Sequence, residues 1–431
     1  MRAFIILFFS ISLFQIHGQD LYFPPVFGDD WESIDPAELN WCPDSLLALE
    51  AFLDEQNTKA FIVLKDGRIA LEWYFDEFEQ DSLWYWASAG KSLTAFMVGL
   101  AQEDGFLDIA SPSSEYLGGA GWTSAGLTEE SQITIWHQLT MTSGLDDGVA
   151  NPDCWESSCL QYLSNAGTRW AYHNAPYTLL DSVISTATNQ SLNGYIFNRL
   201  SLSTGIFGAF VPIEYNNVFF STARVMARFG LLNLANGNWD GEAIMSDANY
   251  FSQMTSSSQD LNKSYGFLWW LNGQGEHMIP QTQFVFNGDL IPSAPSDLYA
   301  AMGLNEQRTY VIPSQNLVVV RMGESTGSGL LALSSFDDQL WGRISNLACE
   351  PIGIQSLDFS STVIGPNPFQ SQLHINALQR INKIQVFDLV GRSQGIFFEN
   401  ILDLEHLDNG TYLVKVEFAN GDIHCKKVIK N

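Results

Sequence analysis

The chain has 431 residues, of which 46% are hydrophobic and 13% aromatic, so the composition predicts packed cores and the length predicts two domains. The formal net charge of −28 argues against nucleic acid and anionic membranes as partners, because their phosphates would repel the chain. Residues 350–431 are nearly balanced, with 9 acidic and 7 basic side chains, which indicates a domain boundary near residue 350.

The N-terminus has the pattern of an export signal. Met1-Arg2 precede an apolar run from Ala3 to Ile16, which predicts a secretory signal peptide over residues 1–18. The run is short for a membrane span, and no other stretch is long and apolar enough to cross a bilayer. Export permits disulfides, and Cys154 and Cys159 share a loop that they could close. A metal site is the alternative, but no histidine stands at ligand spacing to a cysteine pair.

The elements predicted for the large N-terminal part combine strands with helices. Asp66-Gly67 is a strong signal for a type I′ hairpin between two of these strands. The order suggests an α+β fold, in which an antiparallel sheet carries helices on its faces beside an all-helical lobe. In chain order the predicted elements are a helix over Asp44–Gln56, strands over Phe61–Lys65 and Arg68–Tyr74, a mostly helical middle from Ser88 to about Asn236, strands over Leu298–Gly303, Thr309–Ile312 and Leu317–Met322, and a helix over Ser328–Ile344.

Ser88 and Lys91 lie at the start of the helical middle and are candidate catalytic residues. Their spacing places a hydroxyl and an amine on one helical face, near the partial positive charge of a helix N-terminus. A serine becomes a useful nucleophile when a base takes its proton, and a lysine can do so when its pKa is lowered. The alternative for Ser88 alone is a helix N-cap. A Ser-His-Asp site with His137 or His173 is less favoured, because Ser88 already has a lysine as its partner.

Two later motifs complete a pattern. Ser88-Ala-Gly-Lys91 is followed by Tyr172-His173-Asn174 and by Ala301-Met302-Gly303, and the set resembles the three-part signature of serine β-lactamases and penicillin-binding proteins. The segment from Ile133 to Leu145 is also similar to that family. The Tyr-x-Asn form resembles the branch of class C β-lactamases and esterase-like relatives. The resemblance implies the β-lactamase fold, a disulfide between Cys42 and Cys349, and no metal or organic cofactor.

The second motif supplies two further site residues. The resemblance implies that Tyr172 acts as a general base towards Ser88 or as a proton donor to the leaving group. Whether Lys91 or Tyr172 removes the serine proton is left open. It also implies that Asn174 hydrogen-bonds Lys91 or a substrate amide.

The third motif departs from the family, because Ala301 stands where β-lactamases carry a lysine. Gly303 matches, and the resemblance implies that substrate lies flat against this strand. The backbone N–H groups of Leu304 and Ser88 would form an oxyanion hole. Loss of the lysine removes a cation that grips a substrate carboxylate, which favours esters, amides or small peptides without a carboxylate there. Arg308 or Arg321 could supply a cation instead, although each is interpreted as a strand or surface residue.

The tail after Cys349 reads as short strands separated by turn residues, which predicts a small β-sandwich. The segment Pro366-Asn367-Pro368-Phe369, the turn Asp388–Arg392 and the strand start Gly410-Thr411-Tyr412 are similar to the C-terminal sorting domain of the Por (type IX) secretion system of Bacteroidetes. A generic immunoglobulin-like binding module is the alternative. The resemblance implies the type IX machinery as a partner, and export through the periplasm to the medium or cell surface. The domain is usually removed in that family, and Cys425 would leave with it.

These patterns predict four segments and one function. The segments are a signal peptide (1–18), a hydrolase domain (19–349), a linker (350–355) and a sorting domain (356–431). The function is a secreted serine hydrolase that forms a covalent acyl-enzyme with a small-molecule ester, amide or peptide. The alternatives are a catalytically silent binding protein at the cell surface, and a true β-lactamase or D-Ala-D-Ala peptidase.

Overall fold

The computed structural model describes residues 21–327, 335–349, 362–377, 379–419 and 423–431. The chain divides into two compact units between Cys349 and Glu350. The predicted signal peptide and linker lie outside the described residues, and so does the first part of the predicted helix over Ser328–Ile344. None of the described residues belongs to a helix with the length and apolar character needed to cross a membrane.

The strands of the first unit form one large sheet and several small ones. In chain order they are β1 (Thr58–Lys65), β2 (Arg68–Tyr74), β3 (Trp84–Tyr85), β4 (Ala209–Ile213), β5 (Asn216–Ser221), β6 (Asn238–Trp239), β7 (Glu242–Ala243), β8 (Trp270–Leu271), β9 (Glu276–His277), β10 (Phe286–Asn287), β11 (Tyr299–Gly303), β12 (Gln307–Ile312) and β13 (Leu317–Gly323). The large sheet has the order β2-β1-β13-β12-β11-β8, and its neighbouring strands are antiparallel. The predicted antiparallel sheet is therefore confirmed.

The predicted hairpin between β1 and β2 is also confirmed. Asp66 and Gly67 have φ angles of 51° and 81°, and a type I′ turn requires this left-handed pair. Gly67 is needed for a second reason, because a Cβ at this position would lie 1.9 Å from the carbonyl oxygen of Tyr22.

The first unit has ten α-helices among its described residues, and helices cover both faces of the large sheet. Their bounds are α1 (Pro43–Glu55), α2 (Gly90–Glu103), α3 (Leu127–Glu130), α4 (Ile135–Leu139), α5 (Asn174–Thr188), α6 (Leu192–Ile196), α7 (Leu202–Thr204), α8 (Ala223–Leu234), α9 (Ala248–Met254) and α10 (Ser335–Ile344). Gly230 of α8 packs against Val318, whereas Phe336 of α10 lies under the Arg321 guanidinium. Side chains alternate along β13, so these two helices cover opposite faces.

One prediction for the helical middle was incomplete. Strands β4 and β5 interrupt it and form a small antiparallel sheet with β3. Phe210 and Phe219 are buried in this small sheet and their rings lie 5.0 Å apart, so aromatic packing favours strands in a region otherwise rich in helix formers.

The second unit is an all-β unit, as the sequence predicts. Two sheets, β14-β15-β18 and β17-β16-β19-β20, share one apolar cluster that includes Phe369 and Val414. Its strands are β14 (Val363–Gly365), β15 (Gln372–Asn376), β16 (Ile381–Asp388), β17 (Ser393–Phe397), β18 (Ile401–Asp403), β19 (Gly410–Phe418) and β20 (Ile423–Lys430).

Both expected disulfides are present. Cys42, directly before α1, is bonded to Cys349 at the end of the first unit, and Cys154 is bonded to Cys159 within one loop. Cys425 is a free, exposed thiol of the second unit.

Candidate active site

Ser88 lies on a single 3-10 turn, Ala87–Ala89, that leads directly into α2. Ala87 has a φ of 47°, a left-handed conformation that costs free energy for a residue other than glycine. The preceding residue, Trp86, secures the turn, because its backbone N–H donates to Phe219 and its indole N–H donates to the Ser221 hydroxyl, both at 2.8 Å. Strand β5 therefore holds the serine in place.

Lys91 is one turn further along and faces the serine. Its Nζ lies 3.0 Å from Ser88 Oγ, and the residue is 4% exposed. The Tyr177 ring lies 4.2 Å from Nζ and the Tyr172 ring 5.2 Å. Burial lowers the pKa of Lys91 to about 7, although Asp153 and Asp181 oppose that shift. A large fraction of the amine is therefore neutral near pH 7 and can accept a proton.

Tyr172 lies beside Lys91 and packs against two other aromatic side chains. Its ring stacks on Trp270 at a centroid distance of 5.8 Å and meets Tyr265 edge-on at 6.3 Å. Burial raises the pKa of Tyr172 to about 12, while a hydrogen bond with Ser88 and the charge of Arg308 act in the opposite direction. The phenol is therefore protonated at neutral pH and can donate a proton.

Asn174 begins α5, but its amide group points to a partner that the sequence analysis did not identify. Its Nδ2 donates to Asp153 Oδ1 at 2.7 Å, and Asp153 Oδ2 accepts from Asn216 at 3.2 Å. The predicted bond between Asn174 and Lys91 is not among the contacts. The side-chain oxygen Oδ1 of Asn174 is buried and has no hydrogen-bond partner among the described residues. The predicted hydrogen bond from Asn174 to a substrate amide stays a prediction.

Gly303 brings the end of β11 against the serine turn. A Cβ at this position would lie 2.3 Å from the Trp86 carbonyl oxygen and 3.1 Å from the Ser88 nitrogen, so only glycine permits the approach. Leu304 follows directly and is 42% exposed. The backbones of the two oxyanion-hole candidates, Ser88 and Leu304, are thus brought to one place, and their joint role stays a prediction.

The two arginines that could have replaced the missing lysine both serve the interior. Arg308 is completely buried, donates to Asp337 at 2.7 Å and to the Gly303 carbonyl oxygen at 2.7 Å. Arg321 donates to the carbonyl oxygens of Asn305 and Gln56, each at 2.7 Å. Both are strand residues, as the sequence analysis favoured. Both guanidinium groups hydrogen-bond backbone carbonyl oxygens near the end of β11. Ala301 supplies no cation at the position where β-lactamases carry a lysine.

We expect Asp337→Ala to lower the free energy of unfolding by about 3–5 kcal/mol, because it leaves Arg308 buried without its carboxylate. Tyr310 would lose a partner as well, since its hydroxyl also bonds Asp337. Urea unfolding followed by tryptophan fluorescence measures the change. The matched control is Glu32→Ala, which breaks an ion pair with Arg68 at a side chain that is 56% exposed and should cost less than about 1 kcal/mol. Equal losses in the two variants would contradict this prediction.

The histidines do not form a catalytic triad with Ser88 in the described structure. His137 caps α4, where its Nδ1 lies 3.2 Å from the Thr134 backbone nitrogen and 2.8 Å from the Thr134 hydroxyl. His173 is buried, and burial lowers its pKa to about 4. No group of three or more His, Cys, Asp or Glu side chains in the described ranges is placed to hold a metal ion.

Three site residues were missed by the sequence analysis, namely Asp153, Asp181 and Tyr177. Asp153 adjoins Cys154 in the disulfide loop, and no motif marks it. Asp181 had a usable signal, since it is an acidic residue inside the apolar run of α5, where an unexplained charge is rare. Tyr177 gave no such signal, because a tyrosine on a buried helical face is usually a core residue.

Comparisons with known proteins assign a family to each of the two units. Residues 49–332 match the family model described as Beta-lactamase, and residues 363–431 match the Secretion system C-terminal sorting domain. An uncharacterized protein of Alkalihalophilus pseudofirmus is 25% identical over 280 residues, which cover 58% of this chain and 76% of that protein.

Solved structures show the same fold. A penicillin-binding protein homolog from Caulobacter crescentus has 13% identity and a TM-score of 0.53, covering 71% of this chain and 98% of its own. An octameric penicillin-binding protein homologue from Pyrococcus abyssi has 14% identity and a TM-score of 0.51, covering 90% and 96%. The sorting domain indicates a secreted or cell-surface protein and implies the type IX machinery. The chain belongs to the β-lactamase family, whose members are in general serine hydrolases, and it carries a secretion sorting domain at its C-terminus.

Proposed function

We propose that the chain is a secreted acyl hydrolase that forms a covalent acyl-enzyme on Ser88 with esters, amides or small peptides. The observation that carries this proposal is the contact between Lys91 Nζ and Ser88 Oγ at 3.0 Å, in surroundings that lower the lysine pKa to about 7. A buried lysine costs free energy, so its position beside a hydroxyl is easier to explain by catalysis than by stability.

The two pKa shifts support a division of labour in acylation. Neutral Lys91 accepts the hydroxyl proton while Ser88 Oγ bonds to the carbonyl carbon, and the carbonyl oxygen becomes an oxyanion. The bond to the leaving group then breaks, and the leaving group takes a proton from Tyr172, which regains one from Lys91. Deacylation follows the same steps with water as the nucleophile. The water oxygen bonds to the carbonyl carbon while Lys91 accepts a water proton. The bond to Ser88 Oγ then breaks, Lys91 returns the proton to Oγ, and the acid departs.

The substrate class follows from the charges around the cleft. Ala301 stands where the family has a lysine. Arg308 hydrogen-bonds Asp337 and the Gly303 carbonyl oxygen, and Arg321 hydrogen-bonds the Asn305 carbonyl oxygen. A substrate carboxylate would meet no cation from these positions. This supports neutral acyl groups over β-lactams and D-Ala-D-Ala peptides, which carry a carboxylate at that point.

Burst release of p-nitrophenol from p-nitrophenyl acetate tests the proposal. We expect about one equivalent per active site in the first turnover, no burst from Ser88→Ala, and an unchanged burst from the control Ser131→Ala, whose exposed hydroxyl bonds only Thr128 among the described residues. Nitrocefin should be turned over at least a hundredfold more slowly than the ester.

Either of two results would contradict it. The absence of a burst from wild type would favour a silent binding protein on the same fold. Nitrocefin turnover equal to that of the ester would favour a true β-lactamase. A screen of acyl esters, lactones, D-amino-acid amides and linear amide oligomers then narrows the substrate.

A further inference from the structure

A second buried carboxylate lies close to the catalytic lysine. Asp181 is on α5, is 9% exposed, and stands among apolar neighbours of that helix. Its Oδ2 accepts a hydrogen bond of 2.6 Å from Asn217, whereas its Oδ1 is buried and has no hydrogen-bond partner among the described residues. A buried carboxylate with one oxygen unpaired is costly, and a nearby positive charge is the usual compensation.

Helix α5 places Asp181 on the same face as a residue that contacts Lys91. Tyr177 and Asp181 are four residues apart and therefore share one face of α5, and the Tyr177 ring covers the Lys91 amine at 4.2 Å. The charges of Asp181 and Lys91 interact, since each favours the ionised form of the other. Among the described residues, Ser88, Tyr172 and Tyr177 contact the Lys91 amine, and the charges of Asp153 and Asp181 act on it.

The two carboxylates differ in how they are held. Asp153 accepts from two amides, those of Asn174 and Asn216, whereas Asp181 accepts from the single amide of Asn217. Burial raises the pKa of Asp181 to about 7, the value at which Lys91 also titrates. Asp181 also lines a cavity of about 190 Å³ together with the exposed Trp155, so its proton can exchange with solvent.

We propose that Asp181 is a positioning residue that sets the protonation of Lys91, and thereby the pH range in which Ser88 is acylated. Its negative charge stabilises the ammonium form of Lys91, so the amine needs a higher pH to become neutral than it would beside an uncharged group. Because the two groups interact, they titrate as a pair near neutral pH. The effect on acylation rests on the proposed function, whereas the effect on Lys91 does not.

The decisive variant is Asp181→Asn, which removes the charge at nearly constant shape. We expect the pKa of Lys91 to fall by about one unit, the usual effect of removing a nearby opposite charge. NMR titration of ¹³Cε-labelled lysine measures this directly, with the Lys91 signal assigned by its loss in Lys91→Met. The rising limb of kcat/KM against pH should move to lower pH by the same amount. Because NMR needs no turnover, its result stands even if no ester is hydrolysed.

A charge-swap variant separates charge from packing. Asp181→Asn combined with Asn217→Asp returns a carboxylate to the hydrogen-bonded pair, and the Lys91 midpoint should move back towards wild type. Asp297→Asn removes a carboxylate that bonds Ser314 and should leave the midpoint unchanged. A folded Asp181→Asn protein with the wild-type midpoint would overturn the proposal, and so would a swap that fails to restore it.

A third variant covers the case in which Asp181→Asn does not fold. Asn217→Ala removes the hydrogen-bond donor that favours the ionised Asp181 carboxylate, so Asp181 becomes more protonated and the Lys91 midpoint should again fall. A midpoint that stays or rises in Asn217→Ala would contradict the assignment.

Discussion

Replacing Lys91 with methionine is expected to slow acylation of Ser88 by about a thousandfold, the usual effect of losing a general base. Methionine retains most of the buried stem while removing the amine that lies 3.0 Å from Ser88 Oγ. Stopped-flow measurement of the p-nitrophenol burst gives the rate. The matched control is Lys263→Met, which removes a lysine that is 46% exposed and paired with Glu276, and which should leave the burst unchanged.

The pH dependence and a second variant identify the role of the amine. The pKa of Lys91 lies at about 7, so the neutral base is scarce below that pH and predominant above it. The wild-type acylation rate should therefore rise through about pH 7 and level off. Lys91→Arg keeps a positive charge but cannot lose a proton, and should be as slow as Lys91→Met. An active arginine variant would show that the charge of Lys91 matters and that another group is the base.

Gly303→Ala is expected to lower kcat/KM by about 100- to 1000-fold while the protein stays folded, the range found when an oxyanion-hole donor is lost. The added Cβ would lie 2.3 Å from the Trp86 carbonyl oxygen and 2.9 Å from the Ala89 nitrogen. Both are backbone atoms that cannot turn away, so β11 must withdraw from the serine turn. The N–H of Leu304 would then leave the place where the oxyanion forms.

Steady-state kinetics with p-nitrophenyl acetate measures this loss, and near-ultraviolet circular dichroism checks the fold. Gly342→Ala is the control, because its Cβ would meet only Ser293 Oγ at 3.8 Å within 4 Å. Full activity in a folded Gly303→Ala protein would contradict the assignment of this glycine to the site.

Features that depend on residues close together in the chain were predicted from the sequence, whereas contacts between distant residues were missed. The Asp66-Gly67 hairpin was predicted correctly because its turn depends on the φ angles of two adjacent residues. The contact between Ser88 and Lys91 was predictable for the same reason, since three residues of helix bring the side chains together. The sequence analysis expected Asn174 to hydrogen-bond Lys91 or a substrate amide, and it missed the loop residue Asp153, which accepts from the Asn174 Nδ2.

The sequence alone therefore determined the features that short-range patterns predict. These are the serine–lysine pair, the hairpin, the antiparallel sheet and the all-β tail. The tertiary structure decided what surrounds the lysine and what lies behind β11. Asp153 and Asp181 approach Lys91 from a distant loop and helix, and Arg308 turns inward to Asp337 instead of facing substrate. Charges of this kind act through space, so their effect on a pKa depends on folded distances and burial that no local pattern records.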